Sequence, residues 1–153
     1  MLRHVVFGFF VGAALFSALP FDLAAQSTRN SPNALVAEAT AGAMKATSGR
    51  TFDKDCGEQI DYQADLVDLN QDGQPEVFVT LTSSCYGMTG SQLRLYGKGK
   101  DGIWRRHLDV PASEYKVLGQ KSLGFSEIQL AGRGACRPTW RWDGNNYKLA
   151  KKC

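Results

Sequence analysis

The sequence predicts a mostly β fold with one N-terminal helix, built as a compact antiparallel sheet and stapled by disulfides. Three observations predict it. Alternating or β-branched stretches recur at Ile60–Val67, Glu76–Thr82, Gln92–Tyr96, Ile103–Leu108 and Ser122–Leu130, with Gly-, Asn- and Asp-rich turns between them. Only one stretch, Ala34–Ala46, has helical composition. All four cysteines fall at or after position 56.

At the N-terminus, Arg3 and His4 precede an apolar run from Val5 to Leu19 that Pro20 ends. The run is short for a bilayer span of roughly 20 residues, and Leu23-Ala24-Ala25 offers the small residues of a cleavage point. Residues 1–25 therefore read as an export signal cleaved after Ala25, with an uncleaved anchor as the alternative. No cysteine stands at the cleavage point, which disfavours a lipoprotein. Residues 26–153 are expected to form a single domain in the periplasm or outside the cell.

Ser31-Pro32 supplies a helix N-cap followed by proline at the first helical position. The helix is expected to run to Ala46, with Leu35, Ala39, Gly42 and Ala46 along one side and Gly49 as its stop. Arg50–Glu58 reads as a polar connector carrying Cys56.

Asp68-Leu69-Asn70-Gln71-Asp72-Gly73-Gln74-Pro75-Glu76 is the most informative stretch. Oxygen-bearing side chains recur at every second position, Gly73 permits a sharp bend, and Glu76 closes the set. Hard cations such as Ca²⁺ take six to eight oxygen ligands, and such an alternation wraps oxygens around one point. The expected ligands are the side chains of Asp68, Asn70, Asp72 and Glu76 with the backbone carbonyl of Gln74. A metal-free, Asx-rich turn is the plainer reading. An EF-hand is not expected, because its twelfth position here is Val79 rather than Glu and the flanks read as strands.

A DxNxDGxxE loop between strands resembles the calcium loops of FG-GAP and VCBS-type repeats. The likeness covers the loop with its exit strand and, more thinly, Ser91–Val110, where a glycine turn leads into Asp101-Gly102-Ile103-Trp104. It implies Ca²⁺ in the turn and a partial-propeller-like sandwich. One such loop in a chain of 153 residues excludes a whole propeller.

An even cysteine count in an exported chain points to disulfides. Asp143-Gly144-Asn145-Asn146 is a hairpin turn that sets Trp142 opposite Tyr147. Six residues further out in either direction, Cys136 meets Cys153. Cys56 and Cys85 are then left to pair. In that register Cys136, Trp140, Trp142, Tyr147, Leu149 and Cys153 share one face, expected as core or, less simply, as an aromatic platform. Zinc lacks any C-x-x-C spacing.

Ser83–Ser91 is a Gly-, Ser- and Thr-rich loop tethered at Cys85, the candidate recognition loop. Tyr86, Gly87 and Met88, together with the basic Arg105 and Arg106, are the expected partner-contacting residues. The net charge of +3 is too mild to indicate nucleic acid in an exported chain. After the leader His107 is the single histidine, and neither G-x-S-x-G nor H-E-x-x-H occurs. Enzyme activity is therefore not expected.

A small exported protein of this kind resembles periplasmic immunity proteins and lysozyme inhibitors, whose Ser-Gly…Tyr insertion loop Ser83-Ser84-Cys85-Tyr86-Gly87 matches in composition. That likeness implies an inhibitor acting on a peptidoglycan hydrolase. The alternative is an envelope accessory that binds carbohydrate or protein, with Trp104, Trp140 or Trp142 as a stacking platform.

Overall fold

The computed structural model describes residues 31–131 and 134–153. The expected export signal and its cleavage point lie outside the described residues. Nine strands form two antiparallel sheets in chain order. The first contains β1 (Ser48–Asp53), β2 (Glu58–Val67), β3 (Glu76–Thr82), β4 (Ser91–Lys98) and β5 (Trp104–Val110). The second contains β6 (Glu114–Ser122), β7 (Phe125–Ala131), β8 (Thr139–Trp142) and β9 (Tyr147–Lys151). Within each sheet, every strand pairs with its neighbours in sequence, as short turns and antiparallel ladders allow.

Period-two alternation sorts side chains into two cores. On β3, Val77, Val79 and Leu81 pack with Val36 and Ala39 of helix α1 (Pro32–Ala39) and with Met44, Ile60 and Tyr62. Phe78 points the other way, joining Leu93, Leu95, Leu108, Ile128, Leu130 and Tyr147 between the sheets. The run Val77-Phe78-Val79 is thus apolar without interruption because β3 is covered on both faces. The outcome is helix, sheet, sheet: mostly β, with two disulfides, Cys56–Cys85 and Cys136–Cys153.

The structure corrects several details of the sequence reading. Helix α1 starts as expected, with Ser31 accepting from the Ala34 N–H at 3.3 Å and proline following it, but it ends at Ala39. Its buried residues are Val36 and Ala39, not a Leu35–Ala46 stripe. Gly42 N–H reaches Ala37 O at 2.7 Å and Ala41 N–H reaches Glu38 O at 3.2 Å, a Schellman closure that puts Ala41 at φ 51°. Thr40 Oγ1 then bonds Val36 O at 2.8 Å and accepts from Met44 N–H at 3.1 Å, turning the chain away.

The polar connector is also a strand: β1 pairs with β2 from Ser48↔Gln63 to Asp53↔Glu58. Its exposed face hid the alternation, since only Thr51 and Asp53 are buried. Ser122–Leu130 is not one strand. Leu123 and Gly124, both at positive φ, form the two-residue turn that separates β6 from β7. Nine strands therefore stand among the described residues.

The β8–β9 hairpin has the expected Trp142↔Tyr147 register, but it slips by one at Thr139↔Lys151, leaving Ala150 as an extra residue. Cys136 and Cys153 still join, although both precede or follow the ladder and both are exposed. The shared face splits accordingly: Trp142 and Tyr147 are core, while Leu149 is exposed.

Candidate metal loop and neighbouring clefts

The Asp68–Glu76 turn joins β2 to β3, and the alternation D-L-N sets its orientation. Leu69 points inward and is fully buried between the sheets. Its carbonyl accepts from Ser126 N–H at 2.9 Å, tying the turn to β7. Asp68, Asn70 and Asp72 are thereby turned to the outer side. Asp68 Oδ1 accepts from Gln71 N–H at 2.6 Å and Oδ2 from Gly73 N–H at 2.8 Å. Asp72 Oδ1 accepts from Gln74 N–H at 2.8 Å, and Asn70 donates its side-chain amide to Asp72 Oδ2 at 2.8 Å. Gln71 and Gly73 have φ of 65° and 85°, the left-handed conformations that so tight a turn needs.

Glu76 is the unusual member. It is buried at 6% exposure, and Oε2 accepts from Leu69 N–H at 2.8 Å. Burial pushes its pKa up to about 7, opposed by the Leu69 N–H and reinforced by the carboxylates of Asp72 and Asp68. Asp68 goes the other way: burial opposes its ionisation, but the N–H groups of Gly73, Gln71 and Asp72 hold it below the ordinary value. Among the described residues no basic side chain pairs with Asp68, Asp72 or Glu76.

Among the same residues no three His, Cys, Asp or Glu side chains stand close enough to hold a metal ion as placed. The donor set nonetheless suits a hard cation. It contains three carboxylates, the Asn70 amide oxygen and the Gln74 carbonyl, and oxygens that accept one N–H keep further lone pairs. Holding an ion requires Asn70 to release Asp72 Oδ2 and present its own oxygen.

The expected partner-contacting residues are not brought together. The Ser83–Ser91 stretch lies at the far end of β3, whose seven residues span roughly 20 Å. There Ser84–Thr89 forms a short 3-10 turn with Met88 81% exposed. Tyr86 folds inward against the helix-side core, and its hydroxyl is buried without a hydrogen-bond partner. Burial and the nearby Asp53 carboxylate push that phenol up to about 12. Gly87 supplies the positive φ of 63° in that turn.

Arg105 and Arg106 pair with Gly97 and Tyr96 at the other end of β4, near the acidic turn. Both are engaged internally, Arg105 with Asp101 at 2.6 Å and Arg106 with Asp109 at 2.6 Å. Of the candidate aromatic platform, Trp142 is a core residue. Trp104 is held by Glu38 Oε2 at 3.3 Å, and Trp140 stays half-buried with an unpartnered Nε1.

Beneath the helix-side surface, the Arg94 guanidinium is committed to three carboxylates: Asp53 at 3.0 Å, Asp109 at 3.3 Å and Asp55 at 3.4 Å. Burial of Asp53 favours its neutral form, but the Cys56 N–H and Arg94 outweigh that and keep it ionised.

His107 sits on β5. In the structure it is half-buried, with Nδ1 2.8 Å from Asn145 O and its ring edge-on to Trp142 at 4.9 Å. Burial lowers its pKa, the Asn145 carbonyl opposing. The legible signal was Gly97, a glycine inside an alternating strand, which marks close approach of another group.

Fold and turn together define a class: a two-sheet β module with a helix laid on one face, two disulfides and an acidic, Asx-rich bend between adjacent strands. Compared with protein-family models, curated proteins and solved structures, the chain matches none.

Proposed function

We propose that the chain is an exported binding module whose Asp68–Glu76 turn takes up Ca²⁺ and whose opposite end meets a protein partner. The observation that carries the first half is the buried Glu76 carboxylate beside Asp68 and Asp72 with no basic side chain among the described residues to offset it. Such an arrangement is costly without a counter-charge. Asp68, Asn70, Asp72 and Glu76 with the Gln74 carbonyl would hold the ion, which supplies positive charge and stiffens the turn. Through Leu69 and its bond to Ser126, that stiffening reaches the second sheet. The ion's role on this reading is structural.

The second half draws on the other end. Cys56–Cys85 anchors the turn that exposes Met88, and a cleft of about 470 Å³ beside it is lined by Val110, Pro111, Pro138 and Trp140. An exposed Met next to an aromatic-walled cleft suits a protein surface. A peptidoglycan hydrolase is the partner class to be tested first. Pull-down from periplasmic extract with immobilised, oxidised protein, in calcium and in chelator, is expected to retain one protein more strongly in calcium. Retention of none under either condition would refute the partner reading, and heat absorbed or released on calcium titration tests the turn separately.

A further inference from the structure

Between the sheets, at the end that carries the acidic turn, lies a cleft of about 400 Å³ whose walls include Glu76, Gly97, Arg105, His107, Phe125 and Trp142. Its construction is specific. Leu95 pairs with Leu108 and Tyr96 with Arg106, so His107 is the extra residue of a bulge in β5. A bulge re-aims a side chain that regular alternation would have sent elsewhere. Space for the ring exists only because its neighbour is Gly97. A Cβ there would lie 2.9 Å from His107 Cδ2 and 3.1 Å from Nε2, and 3.4 Å from Glu76 Cγ. Imidazole and carboxylate therefore border the same small space.

Charge in the cleft is unevenly satisfied. Arg105 gives its fork to both oxygens of Asp101 at 2.9 and 2.6 Å, and Lys98 is 3.3 Å from Glu38. The cations at the mouth are thus already paired, whereas Glu76 has one backbone N–H and, among the described residues, no cation. The contact of His107 Nδ1 with the Asn145 carbonyl places the ring proton on Nδ1 and leaves the Nε2 lone pair as an acceptor. Trp142 and Phe125, with ring centroids 4.7 Å apart, supply apolar wall.

From this geometry we infer that the cleft binds an aliphatic primary ammonium group, with Glu76 as counter-ion, His107 Nε2 as second acceptor and the Trp142–Phe125 wall against the alkyl chain. A carboxylate beside aromatic surface selects a cation over a neutral isostere. The group belongs to a free amine or to a lysine side chain, and the two sources are separable by experiment. Glu76 is shared with the calcium reading, but the inference does not depend on it. Titrations in chelator test the cleft alone, and calcium titration tests the turn alone.

The test is a titration of ¹⁵N-labelled, oxidised protein in chelator with 1-pentylamine, with 1-pentanol as the uncharged isostere, following the His107 ring nitrogens. Saturable shifts with pentylamine are expected, at least tenfold weaker with pentanol. Glu76→Gln is expected to lose the same factor. His107→Ala, which leaves the acidic turn untouched, is expected to bind at least threefold more weakly. A capped Gly-Lys-Gly peptide that binds as well as pentylamine supports the chemistry and assigns it to protein lysines; weaker binding assigns it to a free amine. Equal affinity for pentylamine and pentanol, absence of saturation, or unchanged binding in folded His107→Ala would overturn the inference.

Discussion

The energetics of Glu76 yield the sharpest prediction. In the unfolded chain its carboxyl titrates near 4.5, and in the folded protein at about 7. Between those values the folded protein holds a proton that the unfolded chain has lost, so stability falls as pH rises through the window. A gap of about 2.5 pH units at 1.36 kcal/mol each amounts to about 3 kcal/mol, an order-of-magnitude figure. His107, whose folded pKa is lowered from 6.5, pushes stability the opposite way over part of that range. The contribution of Glu76 is therefore read as a difference between proteins. Urea unfolding followed by tryptophan fluorescence in chelator, from pH 4.5 to 8, is expected to show wild type losing about 3 kcal/mol relative to Glu76→Gln. At pH 8, calcium at ten times its dissociation constant is expected to return about 1.4 kcal/mol to wild type. Parallel pH profiles for the two proteins would refute the burial argument, and parallel profiles with no calcium gain would remove the ion as well.

Other outcomes follow from single contacts. Asp72→Ala is expected to lower the melting temperature in calcium and to abolish the difference between calcium and chelator, checked by scanning calorimetry. Arg94→Ala leaves Asp53, 4% exposed, without its cation. It is expected to cost about 3–5 kcal/mol in urea unfolding. Leu123, 71% exposed at φ 47°, occupies a left-handed position that asparagine tolerates better. Leu123→Asn is expected to stabilise by about 1 kcal/mol in the same assay. Peptide mapping without reduction is expected to recover Cys56 with Cys85 and Cys136 with Cys153; any other pairing contradicts the hairpin register.

The element types were readable because they rest on local chemistry. Ser31-Pro32 supplies a helix start, and the β-branched Glu76–Thr82 declares a strand. The misreadings share a different cause. Ala34–Ala46 has helical propensity throughout, yet the Thr40 hydroxyl and the Schellman closure at Ala41 stop it after Ala39, and no propensity scale contains those bonds. β1 showed no apolar alternation because its two inward-facing residues, Thr51 and Asp53, are polar, while Phe52 faces solvent at a sheet edge. Leu123-Gly124 lacks the asparagine or aspartate that ordinarily announces such a turn.

For the site, the oxygen alternation of Asp68, Asn70 and Asp72 needed no tertiary information, since a bend is a property of neighbouring residues. Nor did the cysteine pairing, which the hairpin turn indicates even though the register slips by one before the cysteines. Three things were decided only when distant strands met: the burial of Glu76, the bulge that aims His107 at it, and the separation of Met88 from Arg105 and Arg106. Each depends on which strand lies beside which, and on where a register slips by one residue. A sequence specifies what every residue can offer to its surroundings. Packing alone decides which residues become those surroundings, because contacts across a sheet join positions that are remote along the chain.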